Sequence, residues 1–305
     1  MAEAKGHAVL LDSTTLGKIV NLGVSSGNSF SQDYSDGAVT PNSHHRDRIM
    51  PMVDFSTKSL KVLLDATGMT GAEISNFRAF SKIVDLQGGA ISGSSHNRYT
   101  LAKAFLLPGE ISATSNQPAT MTCQAMGFAT DGSGGLTEEA SQALPSLAAY
   151  DYGDEWTLGP LIINGTAVRV GSARLSFGVT LEELGGPGGS DGVVGATGFV
   201  IQQVRPEITA QITHIDDLLA AVGGDLHQVI ASSTIFQLRK YDSTTNVRVG
   251  NATAEHISFT IAAGDIDVSG VSGSGRQTGT IRILPVDNQS DDLIVVDTTS
   301  ALTVS

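Results

Sequence analysis

A single cysteine, Cys123, in 305 residues excludes an internal disulfide and any cysteine-rich metal site. It lies in an alternating stretch, Met121-Thr122-Cys123-Gln124-Ala125, which assigns it to a buried strand face. Aromatic residues make up only 5%, with one Trp and five Tyr scattered along the chain. That argues against an aromatic-lined small-molecule pocket and against clustered carbohydrate-binding aromatics. Basic residues are also few, 18 against 31 acids, for a net charge of −13. A grip on nucleic acid needs clustered Lys and Arg to displace counterions, and this chain has no such cluster. No apolar run approaches the ~20 residues of a membrane-spanning helix. The opening Met-Ala-Glu-Ala-Lys-Gly-His lacks a charged segment followed by an apolar core, so it does not read as a secretory signal.

Constellations that carry chemistry are equally sparse. His44-His45, with Asp47 and Asp54 nearby, lacks i,i+4 spacing and a third ligand of known geometry, so it reads as a solvated loop. Gly185–Gly192 has no GxGxxG between a strand and a helix and no Lys-Ser/Thr end; it reads as a contact loop, not a phosphate cradle. No Ser or Cys stands in a nucleophile-elbow context. The adjacent acids Glu182-Glu183 and Asp291-Asp292 read as turn residues, and Asp151, Asp154 and Glu155 as a solvated linker. The expectation is a non-enzyme with no cofactor and no metal.

What the chain does have is 35 glycines, many Ser and Thr, and period-two alternation. This mixture suits sheets joined by turns and extended loops. The clearest stretch is the C-terminal hairpin from His256 to Asp292. His256-Ile257-Ser258-Phe259-Thr260-Ile261 alternates, Ala262-Ala263-Gly264-Asp265 turns, and Thr280-Ile281-Arg282-Ile283 returns. An earlier stretch echoes it: Ala104–Ser112 aligns with Phe259–Asp267 at an offset of 155, placing Gly109 on Gly264. Ser25-Ser26-Gly27-Asn28-Ser29 sets against Ser176-Phe177-Gly178-Val179-Thr180, Leu60, Val62 and Leu64 against Ile208, Ala210 and Ile212, and Phe80 against Phe236. A repeat of this length is a duplicated domain.

The expected fold is therefore mainly β: two tandem, similar β-sandwich or partial-barrel domains, residues 1–130 and 158–305, joined by a linker at 131–157. Each carries one short flanking helix, expected at Thr70–Phe80, behind a Thr70-to-Glu73 capping box, and at Ile215–Val222. A further short helix is expected at Thr137–Leu144. Two long polar loops, Ser25–Arg48 and Leu184–Thr197, have no apolar period and read as functional.

The strand Ile257–Ile261, the Gly-Asp-Ile turn, the Gly-rich loop, the strand Thr280–Pro285 and the closing Asp-Asp-Leu-Ile resemble the tail tube proteins of long-tailed bacteriophages. The resemblance covers both halves in pattern and order. It implies a structural virion protein that forms stacked rings of the tail tube, a conduit for DNA delivery. Most such proteins have one module and form six-membered rings; two fused modules imply a homotrimeric, pseudo-hexameric ring. The implied partners are further copies of the chain and the tape-measure, baseplate and tail-terminator proteins, with DNA only in passage and no membrane. The implied location is the phage tail, assembled in the host cytoplasm. Inter-ring contacts are expected from the two long loops, at Ser25, Asp33, Tyr34, Asp36, His44, His45, Arg48, Gly186 and Asp191. Glu110, Asp265 and Asp267 are candidate lumen-facing acids. A distal tail or baseplate hub protein shares the module and remains an alternative, as does a host- or carbohydrate-binding β-sandwich of the virion surface.

Overall fold

The computed structural model describes residues 3–26, 28–33, 43–84, 96–129, 135–145, 154–185, 195–224, 229–230, 234–242, 247–272, 277–287 and 292–302. The chain is mainly β. Its first half runs β1 (Glu3–Leu11), β2 (Thr14–Leu16), β3 (Ile19–Ser25), β4 (Asn28–Asp33), β5 (Ser43–Ile49), β6 (Met52–Thr57), α1 (Leu60–Thr67), β7 (Ala72–Ile74), β8 (Phe77–Val84), β9 (His96–Leu101), β10 (Ala104–Thr114), β11 (Thr120–Gly127) and β12 (Leu136–Gln142). Its second runs β13 (Asp154–Ile163), β14 (Thr166–Val168), β15 (Val170–Ser176), β16 (Val179–Gly185), β17 (Ala196–Val204), β18 (Glu207–Ile212), α2 (Ile215–Ala221), β19 (Val229–Ile230), β20 (Thr234–Asp242), β21 (Val247–Arg248), β22 (His256–Ile261), β23 (Gly264–Ser272), β24 (Thr278–Pro285) and β25 (Val295–Ser300).

A ten-stranded antiparallel sheet orders its strands β19-β23-β24-β18-β15-β10-β11-β6-β3, with β7 also on β10. Behind it lie a five-stranded sheet, β12-β9-β8-β1-β2, and a six-stranded one, β14-β13-β20-β22-β25 with β21 on β20. Two hairpins, β4–β5 and β16–β17, form separate two-stranded sheets. Alternation explains the layering. In β24, Gly279, Ile281 and Ile283 are buried, while Thr280 and Arg282 face outward. One continuous buried cluster fills the space between the layers, from Val9, Phe55 and Phe77 to Phe236, Phe259 and Ile283. Phe55 of the large sheet meets Phe77 of the small one at 6.1 Å between ring centres. Phe236 and Phe259 stack at 5.6 Å on neighbouring strands.

Among the described residues every pairing within the first half has a counterpart in the second, and β20–β21 of the second half is the one without a match in the first. The sub-order β7-β10-β11-β6-β3 recurs as β19-β23-β24-β18-β15, and β12-β9-β8-β1-β2 as β25-β22-β20-β13-β14. Even a bulge recurs: it falls between Ile19 and Asn21 on β3 and between Val170 and Ser172 on β15.

The residue correspondences differ from those the sequence offered. Gly264 pairs with Pro285 as Ala104 pairs with Gly127, an offset of 160, so Gly264 corresponds to Ala104 and not to Gly109. Gly109 sits at a bulge inside the continuous strand β10, where an added Cβ would lie 2.8 Å from Thr122 Oγ1. Phe259 belongs to β22, whose counterpart is β9. Leu161 pairs with Phe236 as Val9 pairs with Ala79, one residue short of Phe80. Only the Ser25–Ser29 against Ser176–Thr180 setting, at an offset of 151, agrees with the register.

The first helix is displaced as well. α1 spans Leu60–Thr67, and Thr70–Phe80 instead holds a turn, β7 and the start of β8. Leu60, Leu63, Leu64 and Thr67 are its buried face, an i, i+3, i+4, i+7 stripe. Gly71 has φ +95°, and a Cβ there would lie 2.5 Å from the Leu106 carbonyl, so no helix runs through it. α2 lies where the sequence placed it, with Asp216 and Asp217 in its first turn. Thr137–Leu144 is not helical; β12 occupies 136–142 and pairs with β9, Glu138 opposite Tyr99.

Candidate functional site

The outward face of the ten-stranded sheet is polar over most of its extent; at the Ala104 end of β10 it carries an apolar patch of Phe105, Leu107, Met126 and Met52. It presents short side chains such as Ser56, Ser112, Thr122, Ser172, Thr209 and Thr280, with a few charges among them. The acids are Asp54, Glu110, Glu207, Asp265 and Asp267; the cations are Arg174 and Arg282. Arg282 donates to both oxygens of Glu207, at 2.9 and 2.8 Å. That guanidinium holds the Glu207 carboxyl below its ordinary range, with Thr209 donating a further bond at 3.1 Å. Arg174 Nε lies 3.1 Å from Glu110, which also accepts from Ser112 at 2.8 Å. Gln124 donates to Asp54 at 2.8 Å. Both arginines on this face are therefore neutralised, and the described acids exceed the cations. A shallow depression of about 420 Å³ crosses β10, β15, β18 and β24 on this face, lined by Ser112, Ser172, Arg174, Thr209, Gln211 and Thr280.

The seam between the halves runs through this sheet. β10 pairs with β15 from Glu110 opposite Ser176 to Thr114 opposite Ser172. The Phe177 N–H donates to the Gly109 carbonyl at 3.1 Å, and Ser115 N–H to Gly171 at 2.9 Å, extending the seam at both ends. β7 takes only the other end of β10, Ala104 to Leu106, which leaves 110–114 for β15. In the second half β19 likewise takes only Gly264 and Asp265 of β23. Among the described residues no strand pairs with the outer side of β23 beyond Asp265, nor with the outer side of β3. The sheet thus ends on the counterparts of the two strands that meet at its seam. Both edges expose valines: Val20 and Val24 on β3, Val271 on β23.

No protein-family model matches this chain, and no curated protein is similar to it in sequence.

The β16–β17 hairpin reaches over the first half. Phe199 packs 6.0 Å from Phe105 and edge-on, at 5.8 Å, to Phe128. Met126 and Ala196 are buried in the same cluster, with Met52, Leu107 and Leu181 around it. Gly178 makes the entry turn at φ +59°, and a Cβ there would lie 1.9 Å from the Arg205 carbonyl.

The candidate residues fall as follows. Glu110, Asp265 and Asp267 are together on the polar sheet face, Glu110 at the seam and the other two on β23. Ser25 ends β3; Asp33 is in β4, and His44, His45 and Arg48 are in β5. The described residues of this span, 25–26, 28–33 and 43–48, are therefore a strand end and two paired strands, although alternation is weak there. Leu184–Thr197 likewise includes the ends of β16 and β17. Tyr34, Asp36, Gly186 and Asp191 lie outside the described residues, as does most of the span 131–153 apart from β12. The residues 154–157, expected in a linker, belong to β13 and pair with 239–242.

Sequence reasoning missed Glu207, Arg282 and Arg174. Their signal is a cross-strand one: Arg174 is opposite Thr209, which is opposite Arg282, with acids one step along. Only the strand order reveals it. The cleft beside Trp156, lined by Asn116, Glu155, Tyr241 and Arg248, brings no nucleophile to a base. Among the described residues no three His, Cys, Asp or Glu gather as a metal site.

Proposed function

We propose that this chain is a structural protein that closes into rings and stacks them into a tube, the conduit of a long-tailed phage particle. The supporting observation is the seam: one half offers β10, the other β15, and among the described residues the long strands at the edges of the sheet are their counterparts β23 and β3. A contact that joins unlike edges head to tail must either close or propagate. Free edges carrying exposed valines are a liability unless another copy covers them.

Each half contributes four long strands to the sheet, so the chain contributes eight. A ring of three chains would contain twenty-four. At ordinary strand spacing and tilt such a barrel is about 45 Å across between backbones, wide enough to pass a duplex once side chains are subtracted. Two chains would give sixteen strands and about 30 Å, which leaves little room. The polar, net-acidic face would then line the bore. Three copies, each of two like halves, give the pseudo-hexamer.

Negative-stain microscopy with light scattering on purified protein tests the reading. Rings of three chains, or tubes with that repeat, are the expected result. A monodisperse monomer at every concentration would refute it, and would favour a β-sandwich that acts singly at the virion surface.

A further inference from the structure

The seam has a second component, the hairpin lying over the neighbouring half, and it should recur wherever β23 meets β3. In both hairpins a bulge follows the second residue pair, after Ser29 and after Thr180. Counting from there, Phe30 takes the register position of Leu181, and His44 that of Phe199. The surface covered by Phe199 also has a counterpart. Asp265 pairs with Leu284 as Phe105 pairs with Met126. Val286 N–H bonds to Ala263 as Phe128 N–H bonds to Lys103, at 3.0 and 3.1 Å. Glu207 stands opposite Ser176 as Met52 stands opposite Ser25. The apolar patch of Phe105, Met126, Phe128 and Met52 is thus replaced in the second half by Asp265, Leu284, Val286 and Glu207. Among the described residues no hairpin of the same chain covers Val286, which is 49% exposed.

We propose that β5 of one copy docks on the Asp265–Leu284–Val286 surface of a second copy, as β17 docks on Phe105 and Phe128 within the chain. This rests on the ring reading and deepens it. The chemistry of the two sides agrees. β5 reads Ser-His-His-Arg-Asp-Arg-Ile, with His44 and Arg46 at register positions opposite Gln32 and Phe30 and Arg48 beyond the bulge, and the receiving surface carries Asp265 and Glu207. Within the chain, apolar Phe199 meets apolar Phe105 instead. Exchanging the two hairpins would press cations onto Phe105 or phenylalanine onto Asp265, so each hairpin is matched to its own surface. That difference sets the order of halves around the ring and makes every inter-chain contact of one kind. It also assigns His44, His45 and Arg48 to the lateral neighbour in the same ring.

The test uses the full-length chain. Cys123 is buried and its thiol is pushed well up by that burial, so it leaves thiol chemistry to introduced cysteines. His44→Cys with Val286→Cys is treated with a short bis-maleimide after assembly, with His44→Cys plus Val247→Cys as control. The first pair is expected to give cross-linked dimers and trimers on a denaturing gel, and the control only monomer. Asp265→Arg should lower the cross-linked yield about fivefold, and adding Arg46→Asp should restore it. A cross-link confined within one chain would overturn the proposal. Rings by microscopy without cross-links would overturn the docking alone. Neither rings nor cross-links would overturn both this inference and the ring reading.

Discussion

At the scale of single residues, two positions carry sharp consequences. Gly178 joins β15 to β16 at φ +59°, where its carbonyl accepts from Arg205 N–H at 3.0 Å. An alanine Cβ would overlap the Arg205 carbonyl, so the entry to the hairpin must shift. Gly178→Ala should cost about 2–4 kcal/mol, from the left-handed backbone and the clash together. Thermal melts followed by circular dichroism would show it, and an unchanged melting temperature would contradict the account. His256 is fully buried; its Nδ1 accepts from Lys240 N–H at 2.9 Å, and Nε2 lies 3.0 Å from the Gly250 carbonyl. Burial holds its pKa below the ordinary value. The unfolded chain therefore binds a proton that the folded chain refuses. The stability from this residue is complete above about pH 6.5, and it is lost as the pH falls from there through the lower folded value. Melting temperature against pH should decline across that window in the wild type. It should decline less steeply in His256→Gln, and parallel curves would rule the histidine out.

At the scale of elements, the proposed ring would depend on the exposed edges. By the seam's own register, Ile111 opposite Leu175, Val24 of one copy would lie opposite the Gly270–Val271 step of the next. Val24 is 36% exposed, so Val24→Lys should change stability by no more than about 0.5 kcal/mol. A lysine on an edge strand should nonetheless prevent pairing with another chain. Folded monomer with an unchanged melting point and no rings is the expected outcome; normal rings would show that β3 is not an interface. Element type was legible where a pattern had one reading. The alternation of β22 to β24 and the acid-opened α2 were such cases. It failed where two patterns coexisted. Leu60, Val62 and Leu64 alternate, yet Leu60, Leu63 and Leu64 form a helical stripe, and burial follows the stripe. Glu138, Glu139 and Ala140 are good helix formers, but pairing with β9 overrides that propensity, including an Arg98–Glu139 ion pair across the strands. The echo between the halves was visible, but its register was not. Bulges and loops of different length displace the offsets from 151 to 160, and only hydrogen-bond partners fix them.

At the scale of the whole molecule, the proposed tube would set an acidic wall around DNA. Sliding needs a wall that offers few counterion-releasing contacts, and each unpaired Lys or Arg facing the duplex would supply one. The polar sheet face has two arginines among its described residues, and a carboxylate occupies each: Glu110 beside Arg174 and Glu207 beside Arg282. Asp54 and Asp267 then leave the face outside the docking surface net negative. In the proposed ring of three, Glu110→Gln with Glu207→Gln would free six arginines around one bore. Assembled tubes of this variant should retain duplex DNA at low salt and release it as salt rises, because released cations govern such binding. Wild-type tubes should retain none under the same conditions. The exposed ion pairs contribute little to stability, at most about 1 kcal/mol each, so the variant should still assemble. Retention of DNA by the wild type at low salt would show that the arginines face the duplex unneutralised, and the sliding argument would fail even with the ring intact.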